Sequence, residues 1–335
     1  MPQAVILGVS GFVPDRILSN ADLEKMMDTS DEWISSRTGI KERRVLDDDK
    51  AVVHIGVQSV KGILQKTGLD PTEVDMVICA TCTGDYILPD CANSICHKAG
   101  LTRAFGFDIS AACSGFIFAL YTAAQFIETG AYKKIIVIGG EKLTSYMDYT
   151  DRTTSIIFGD GGGGVLLGAS EEEGLGIIDA ELHGDGRGCE MLRVDGGGSL
   201  HPIRGKVDPN HKPYVSQEGK TVFKRAVQGM SSTIKTVMDR NDLDNSDIAW
   251  LVPHQANLRI IHSVANMMDF PLEQVMINIE KYGNTSAGTI PLCLSDYESQ
   301  LKKGDGVMLT AFGGGFTWGS IFLRWAYDSG ETKNS

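Results

Sequence analysis

The stretch DISAACSGFIFAL, residues 108–120, places a cysteine directly ahead of an apolar helical pattern. Residues 113–129 are apolar around most of a helical circumference, which predicts an internal α-helix with Cys113 at its start. The positive end of a helix dipole and the free N–H groups of a helix N-terminus favour the thiolate form of a cysteine. The pattern therefore predicts a nucleophilic Cys113. A small buried cysteine ahead of a core helix is the alternative.

Two more polar residues follow strand patterns in the second half of the chain. His254 lies in WLVPHQAN after one strand, and Asn284 lies in KYGNTSAGT after the strand VMINI. Chemistry in open α/β sheets gathers at the carboxyl ends of strands, so we expect Cys113, His254 and Asn284 to meet there. A lone histidine is more often structural. The prediction therefore depends on the three residues together.

These residues need elements that bring distant parts of the chain together. Short apolar strand patterns alternate with longer helical patterns, which is typical of βαβ units and a mainly parallel sheet. Two sets of predicted strands are present: AVILGV, DMVICAT, AFGFDI, IIVIGG and GGVLLGA, and then GLGIIDAEL, AWLVPHQ, VMINIE, VMLTAFGG and GSIFLRWAY.

The two sets are related by a nearly constant offset. The segment from Leu69 aligns with the segment from Leu243, 174 residues later, and IIVIGG and VMLTAF lie 172 residues apart. Such an offset indicates two similar halves. We predict an α/β protein in which residues 1–172 carry the nucleophile and residues 173–335 carry the His/Asn pair. Each half would be a sheet with helices on both faces, and the halves would share one helix layer.

Composition limits the classes of function. The 335 residues carry a net charge of −12, which argues against a general nucleic-acid or membrane-surface binder. The N-terminal residues lack a basic leader, and no apolar run reaches roughly 18 residues, so we expect a cytoplasmic protein.

Seven cysteines in such a protein are thiols by default. The C-x2-C spacing of Cys79 and Cys82 suggests zinc, but residues three apart on a strand point to opposite faces, so we predict no metal site.

Six motifs, in this order along the chain, resemble the β-ketoacyl-acyl-carrier-protein synthase III family of the thiolase superfamily: TSDEWISSRTGIKERR, AACSGF, DYTDRTTSIIFGDG, PHQAN, GNTSAGT and AFGGGFTWGS. The resemblance implies a duplicated five-layer αβαβα fold with two pseudo-symmetric halves and mixed, mainly parallel sheets. It implies condensation of an acyl-CoA starter with malonyl-acyl carrier protein, which initiates fatty-acid synthesis. It also implies a homodimer that uses no metal or redox cofactor.

The resemblance assigns roles to four residues. Cys113 would take the acyl group from coenzyme A as a covalent thioester. His254 and Asn284 would bind the thioester carbonyl of malonyl carrier protein and stabilise the enolate as preorganised neutral donors. The backbone N–H groups of Cys113 and Gly314 would form the oxyanion hole for acyl transfer. The segment FGGGFTWG is also compatible with a tight turn between strands.

The resemblance implies a coenzyme A site as well. Trp33 would stack on the adenine with Arg152 on the other adenine face, and Arg37 would reach a phosphate. For each surface arginine, a solvated charge is the alternative. Phe223, Asn257 and Arg259 would lie along the pantetheine tunnel and at its mouth. The docking surface for an acidic carrier protein would comprise four cations: Lys220, Lys224, Arg225 and Arg259.

One departure from the family pattern concerns the starter. Leu88 occupies the place where many relatives carry a phenylalanine that reaches across the dimer to close the acyl pocket. We therefore expect a pocket that admits more than acetyl. The long Gly-, Pro- and His-rich loop 184–219 has no predicted path.

Three other functions stay open at this point. The first is a related thiolase-superfamily synthase or acyltransferase of a secondary-metabolite pathway. The second is a non-catalytic dimer subunit, but such subunits lose the nucleophile and Cys113 is present. The third is a cysteine hydrolase in which His254 is the general base and Asn284 orients it.

Overall fold

The computed structural model describes residues 2–203, 205 and 207–328. Residues 1, 204, 206 and 329–335 of the two predicted halves lie outside this described part. The strands are β1 (Gln3–Phe12), β2 (Ile17–Ser19), β3 (Glu42–Arg44), β4 (Met76–Ala80), β5 (Phe105–Ile109), β6 (Lys134–Lys142), β7 (Asp160–Ser170), β8 (Gly176–Gly184), β9 (Leu192–Val194), β10 (Val215–Gln217), β11 (Trp250–Pro253), β12 (Gly306–Gly313) and β13 (Thr317–Arg324). The helices are α1 (Asn20–Leu23), α2 (Asp31–Thr38), α3 (Val52–Thr67), α4 (Cys91–Ala99), α5 (Gly115–Glu128), α6 (Gly219–Arg240), α7 (Leu258–Met267), α8 (Ile279–Tyr282) and α9 (Thr289–Tyr297).

Two large sheets form the framework, and their strand orders correspond. The order is β1–β7–β6–β4–β5 in the first sheet and β8–β13–β12–β11 in the second. The pairs β6/β4, β4/β5 and β11/β12 are parallel, and the pairs made by β7 with β1 and β6, and by β13 with β12 and β8, are antiparallel. The sheets are mixed as predicted, but parallel pairs do not predominate. One reason is that residues 314–316, which connect β12 to β13, are too few for a crossover helix.

The segment VMINIE does not form the predicted strand. Val275 makes only an isolated parallel bridge with Leu251, and the short helix α8 follows. The side chain of Gln255 accounts for the difference. Its Nε2 group donates to the carbonyl of Met276 (3.1 Å), and its Oε1 accepts the N–H of Asn278 (3.1 Å). A side-chain amide thus satisfies backbone groups that a longer strand would have paired.

The elements stack in five layers. Helices α3 and α4 cover the outer face of the first sheet, α5 and α9 lie between the sheets, and α6 and α7 cover the outer face of the second sheet. An apolar core fills each interface, so each sheet is buried on both faces. This is the predicted αβαβα architecture. The division at residue 172 stays a proposal.

Helix α5 is the internal helix predicted from the sequence. Its side chains Phe116, Leu120 and Ile127 are 0–1% exposed. Complete burial of a large apolar side chain contributes roughly 1.5–3 kcal/mol to stability. Ala119 and Ala123 are also fully buried, so a larger residue there would overpack the layer. Within the described residues, no helix has both the length and the apolar character needed to cross a membrane.

Candidate active site

A cavity of about 380 Å³ lies where the central helices begin. Its lining includes Cys113 and Gly314, from opposite sheets, together with His254 and Asn284. Cys113 lies in the turn that leads into α5, and Asn284 lies shortly before α9. The structure therefore brings together the four residues that the sequence nominated as catalytic, and their roles remain predictions.

A tight turn holds the Cys113 backbone. Cys113 lies in the 3₁₀ turn Ala112–Ser114, and Ala112 has a left-handed conformation with φ of 45°. The hydroxyl of Ser114 donates to Oγ1 of Thr317 (2.7 Å), which links the turn to the first residue of β13. A Cβ atom at Gly313 would lie only 2.7 Å from the Cys113 nitrogen, so this close approach requires glycine.

The Cys113 thiol is protonated in the resting protein. Burial raises the pKa of this thiol to about 12, while contact with the Ser286 hydroxyl acts in the opposite direction. The charge of Glu141 raises the pKa further. Desolvation thus opposes the effect of the helix N-terminus, which favours the thiolate. The thiol must lose its proton during the reaction.

His254 directly follows β11, as predicted, and is almost fully buried. Its backbone N–H donates to the carbonyl of Thr310 (2.8 Å), and its Nδ1 atom lies 2.7 Å from the Thr289 hydroxyl. Burial lowers the pKa of His254 to about 3, so the imidazole is neutral near pH 7. Within the described residues, the buried Nε2 atom has no hydrogen-bond partner. The Nε2 atom of His254 is therefore available to contact a bound substrate or Cys113.

Asn284 follows α8 rather than the predicted strand. Its backbone N–H donates to the carbonyl of Ile157 (2.9 Å), and its carbonyl accepts the N–H of Gly159 (3.1 Å). Its side-chain Oδ1 accepts the N–H of Ser286 (2.8 Å). With the oxygen occupied in this way, the amide NH₂ is the group left for the cavity.

The sequence reasoning did not identify a buried carboxylate beside the thiol. Glu141, at the end of β6, accepts hydrogen bonds from the Thr81 hydroxyl (3.0 Å) and the Ser286 hydroxyl (3.3 Å). The thiol of Cys82, which is exposed to the cavity, also donates to Glu141 (3.3 Å). Burial raises the pKa of Glu141, and hydrogen bonds from Thr83 and Cys82 oppose this shift. The position of Glu141 at the carboxyl end of IIVIGG was the available signal.

The loop 184–219 supplies one wall of the cavity. Strands β9 and β10 pair antiparallel within this loop. Their side chains Leu192, Val194, Val215 and Gln217 line the cavity. Phe223 and Asn257 line it as well, and their place along a pantetheine tunnel stays a prediction.

Two arginines contact the ring of Trp33 near the surface. The guanidinium carbon of Arg37 is 4.5 Å from the Trp33 ring centroid, and that of Arg152 is 5.1 Å away. Arg152 also donates to the backbone carbonyl of Asp28 (2.6 Å). The Asn257 side chain donates to the carbonyl of Arg37 (3.0 Å), which connects this cluster to the cavity wall. Neither contact was predicted: the resemblance places Arg152 on the far face of the adenine, whereas its guanidinium contacts the indole directly in this structure.

The predicted docking cations lie at the start of α6 and α7. The guanidinium carbon of Arg259 is 5.6 Å from the ring centroid of Phe223, which lines the cavity. Within the part of the chain that the structure describes, these four side chains are exposed and form no ion pair with a carboxylate, a property that they share with other surface cations such as Lys61, Lys98 and Arg103: Lys220, Lys224, Arg225 and Arg259.

Leu88 does not line the cavity of its own chain. Its side chain is 82% exposed, and its neighbours Tyr86 and Ile87 are 71% and 92% exposed. Three consecutive exposed apolar residues are unusual on a monomer surface and typical of a contact surface.

One cluster of metal-ligating side chains lies outside the cavity. Asp195, His201 and His211 place ligating atoms within 4.8 Å of one another, but the two imidazole rings are stacked with centroids 3.4 Å apart and planes 7° apart. A metal ion must lie in the plane of each imidazole that binds it. One ion cannot serve both rings in this arrangement, and we assign no metal to it. The core between the first sheet and α4 contains Cys79 together with two cysteines of α4: Cys91 and Cys96.

Two family models and a curated relative match this chain. The family model "3-Oxoacyl-[acyl-carrier-protein (ACP)] synthase III" matches residues 107–186, and its C-terminal counterpart matches residues 238–325. The β-ketoacyl-[acyl-carrier-protein] synthase III of Porphyromonas gingivalis is 48% identical over 332 residues, which cover 99% of each chain.

Two solved structures are also similar. The 3-oxoacyl-(acyl carrier protein) synthase III of Pseudomonas aeruginosa has a TM-score of 0.91 at 37% identity and covers 97% of this chain and 98% of its own. The priming β-ketosynthase of the R1128 polyketide biosynthetic pathway has a TM-score of 0.91 at 31% identity and covers 98% and 99%. On identity, coverage and the matched family models together, this chain belongs to the β-ketoacyl-[acyl-carrier-protein] synthase III family.

Proposed function

We propose that this protein condenses an acyl-CoA starter with malonyl-acyl carrier protein, with loss of carbon dioxide, to give β-ketoacyl-acyl carrier protein and so initiate fatty-acid synthesis. The observation that carries the proposal is that Cys113, His254 and Asn284 line one cavity. A thiol can hold an acyl group, and nitrogen donors can hold an enolate oxygen. These are the two tasks of the reaction.

In the first half-reaction, the sulfur of Cys113 attacks the acyl carbonyl and coenzyme A leaves. The thioester that forms keeps the acyl group in the cavity. The backbone N–H groups of Cys113 and Gly314 stabilise the oxyanion of the tetrahedral intermediate. The close approach of Gly313 to the Cys113 backbone supports this role, since it brings the end of β12 beside the Cys113 turn.

In the second half-reaction, the thioester oxygen of malonyl carrier protein binds to His254 and Asn284. Release of carbon dioxide places negative charge on that oxygen, and donors already in position need no reorganisation. The enolate carbon then attacks the acyl group on Cys113. The orientation of the Asn284 amide, with Oδ1 bound to the Ser286 N–H, supports its role as a donor.

We assign a binding surface on this protein to coenzyme A and another to the carrier protein. The adenine and phosphates of coenzyme A bind at Trp33, Arg152 and Arg37, and the pantetheine arm passes Phe223 and Asn257 into the cavity. An acidic carrier protein docks on Lys220, Lys224, Arg225 and Arg259. The grouping of these four cations at the starts of α6 and α7, on a protein of net charge −12, supports this assignment.

We also propose a cytoplasmic homodimer in which the exposed segment 86–88 contacts the partner subunit. Leu88 would then border the acyl pocket of the partner. The reaction as proposed uses thiol, imidazole, amide and thioester groups, so it requires no metal or redox cofactor.

The test is intact-protein mass spectrometry after incubation with a panel of acyl-CoA starters, followed by addition of malonyl carrier protein. We expect an acyl adduct on wild type, no adduct on Cys113→Ala, and loss of the adduct with carbon dioxide release when malonyl carrier protein is added. Free acid formed without malonyl substrate would instead indicate a hydrolase. Reaction only with a polyketide carrier protein would indicate a priming ketosynthase, to which the chain is 31% identical.

A further inference from the structure

A buried path of hydrogen bonds connects the end of β6 to Asn284. The Oε1 atom of Glu141 accepts the hydroxyl of Ser286 (3.3 Å), which lies 145 residues further along the chain. The backbone N–H of Ser286 in turn donates to Oδ1 of Asn284 (2.8 Å). Glu141 is fully buried and Ser286 nearly so, and water therefore competes little for the contact between them. A carboxylate of one sheet is thus linked to the amide that we propose as an enolate donor.

The loop that follows β4 surrounds Glu141 with donors. The backbone N–H of Cys82 lies 3.1 Å from both carboxylate oxygens, and the hydroxyls of Thr81 and Thr83 donate to Oε2. The other oxygen, Oε1, accepts the Ser286 hydroxyl. So many donors around one buried carboxyl group favour its ionised form, which has acceptor sites only. In the contact between Ser286 and Glu141, the hydroxyl is therefore the donor.

The Ser286 hydroxyl has a single proton and a second neighbour that competes for it. The same hydroxyl contacts the thiol of Cys113. A hydrogen bond to a carboxylate is stronger than one to a neutral sulfur, which is a weak acceptor. The proton therefore goes to Glu141, and this bond anchors the Ser286 side chain.

Ser286 needs an anchor because its backbone is strained. It begins the 3₁₀ turn Ser286–Gly288 with φ of 52°, which is the left-handed region that L side chains rarely adopt. Relaxation of φ would rotate the Ser286 N–H away from Asn284. Strand β6 meets this turn at a second position, where a Cβ atom on Gly139 would lie 2.3 Å from the Ala287 carbonyl oxygen. Gly139 and Glu141 are two residues apart, so one face of β6 supports the turn.

We propose that Glu141 is a positioning residue for decarboxylation. By holding the Ser286 hydroxyl, it keeps the Ser286 N–H on Oδ1 of Asn284, so that the amide presents its NH₂ group to the malonyl thioester oxygen. This inference rests on the proposed function and deepens it. Among the residues that the structure describes, Glu141 is not part of the cavity lining, and it acts through Ser286.

The first test compares the two half-reactions in Glu141→Gln, which keeps the shape of the side chain but leaves one oxygen for two sets of donors. We expect carbon dioxide release from malonyl carrier protein to fall about tenfold, less than the roughly 10²-fold expected for loss of a donor itself. Acylation of Cys113 should not fall, because the charge of Glu141 disfavours the thiolate. Equal losses in both half-reactions would contradict the inference.

Thr81→Val is the matched control. This variant removes one hydrogen bond to Glu141 but leaves the contact between Glu141 and Ser286 in place. We expect it to decarboxylate malonyl carrier protein at close to the wild-type rate. A loss as large as that of Glu141→Gln would mean that the loop after β4, and not Ser286, carries the effect of Glu141.

The second test asks whether Glu141 acts through Ser286 and Asn284. In an Asn284→Ala background, Glu141→Gln should cause no further loss of decarboxylation, because the donor that it positions is already absent. The effects of Glu141→Gln and Ser286→Ala should also be non-additive when the two are combined. Effects that multiply in either pair would show that Glu141 acts independently of this path, and would overturn the inference.

A third test needs no turnover. ¹⁵N NMR of asparagine-labelled protein reports the side-chain amide of Asn284, with Asn284→Asp to assign the signal. We expect one sharp NH₂ pair in wild type and in Thr81→Val, and a broadened or second pair in Glu141→Gln. An unchanged pair in Glu141→Gln would overturn the inference. Failure of wild type to acylate Cys113 would instead contradict the proposed function and leave the NMR result standing.

Discussion

The backbone N–H of Ser286 donates a 2.8 Å hydrogen bond to Oδ1 of Asn284. This bond decides which end of the amide faces the substrate, because an amide oxygen that is already occupied leaves the NH₂ group for the cavity. A residue two positions along the chain thus converts Asn284 into a donor for a developing oxyanion.

Asn284→Asp tests that role directly. An aspartate still accepts the Ser286 N–H but presents an oxygen where the amide presented a donor. We expect the variant to acquire the acyl group while decarboxylation falls by about 10²-fold or more. Carbon dioxide release from malonyl carrier protein is the measurement, with Asn284→Ala as the comparison. Normal release by both variants would rule out the proposed role.

The pKa of Cys113 predicts how its reactivity depends on pH. Because burial raises that pKa from 9.0 to about 12, the thiolate fraction in the unliganded protein should rise about tenfold per pH unit between about pH 6 and 9. Alkylation by iodoacetamide, followed by peptide mass spectrometry, should show this rise without a plateau. The exposed Cys189 is the internal reference. A plateau near neutral pH would mean that a thiolate is already present at rest.

Trp33→Ala should weaken binding of the coenzyme A nucleotide without changing the chemistry. Loss of the stacking surface should raise KM for acyl-CoA about tenfold, equivalent to about 1.4 kcal/mol, with kcat unchanged. The matched control is an acyl-pantetheine substrate that lacks the nucleotide, for which KM should not change. Equal effects on both substrates would place the indole elsewhere than at the adenine.

Charge reversal on α6 tests carrier docking. Lys224→Glu and Arg225→Glu should lower kcat/KM for malonyl carrier protein about tenfold at low salt, and less at high salt because exposed charges are screened. Kinetics with acyl-CoA should be unaffected. Lys235→Glu, on the same helix in an exposed pair with Asp239, is the control. If all three variants behave alike, net charge rather than a docking surface explains the effect.

Leu88→Phe tests the acyl pocket across the proposed dimer. If Leu88 borders the partner's pocket, a bulkier ring should reduce kcat/KM for isobutyryl-CoA and hexanoyl-CoA and spare acetyl-CoA. Each buried methylene of a starter contributes roughly 0.8 kcal/mol, so wild type should prefer the larger starters. An equal change for all three starters would show that residue 88 does not bound the pocket.

Much of the framework could be predicted from local patterns. The apolar periodicity of residues 113–129 predicted an internal helix, and α5 begins at Gly115 with its large apolar side chains buried. The prediction that His254 follows a strand is confirmed, since His254 directly follows β11. These predictions succeeded because helical periodicity and strand boundaries are properties of adjacent residues.

Other features depended on residues that are distant in sequence. Gln255 satisfies the backbone at Met276 and Asn278, and this contact replaced the strand predicted there. The elevated pKa of Cys113 depends on burial, which no local pattern reports. The bond between His254 and Thr289 joins side chains 35 residues apart.

The sequence by itself therefore determined which residue types are available for chemistry and which elements carry them, because both are local properties of the chain. Only the tertiary structure decided that Cys113 rests as a thiol and that Thr289 and Ser286 orient the His254 and Asn284 side chains. The physical reason is that desolvation and hydrogen-bond direction are set by every group packed around a buried atom, and packing alone brings those groups together.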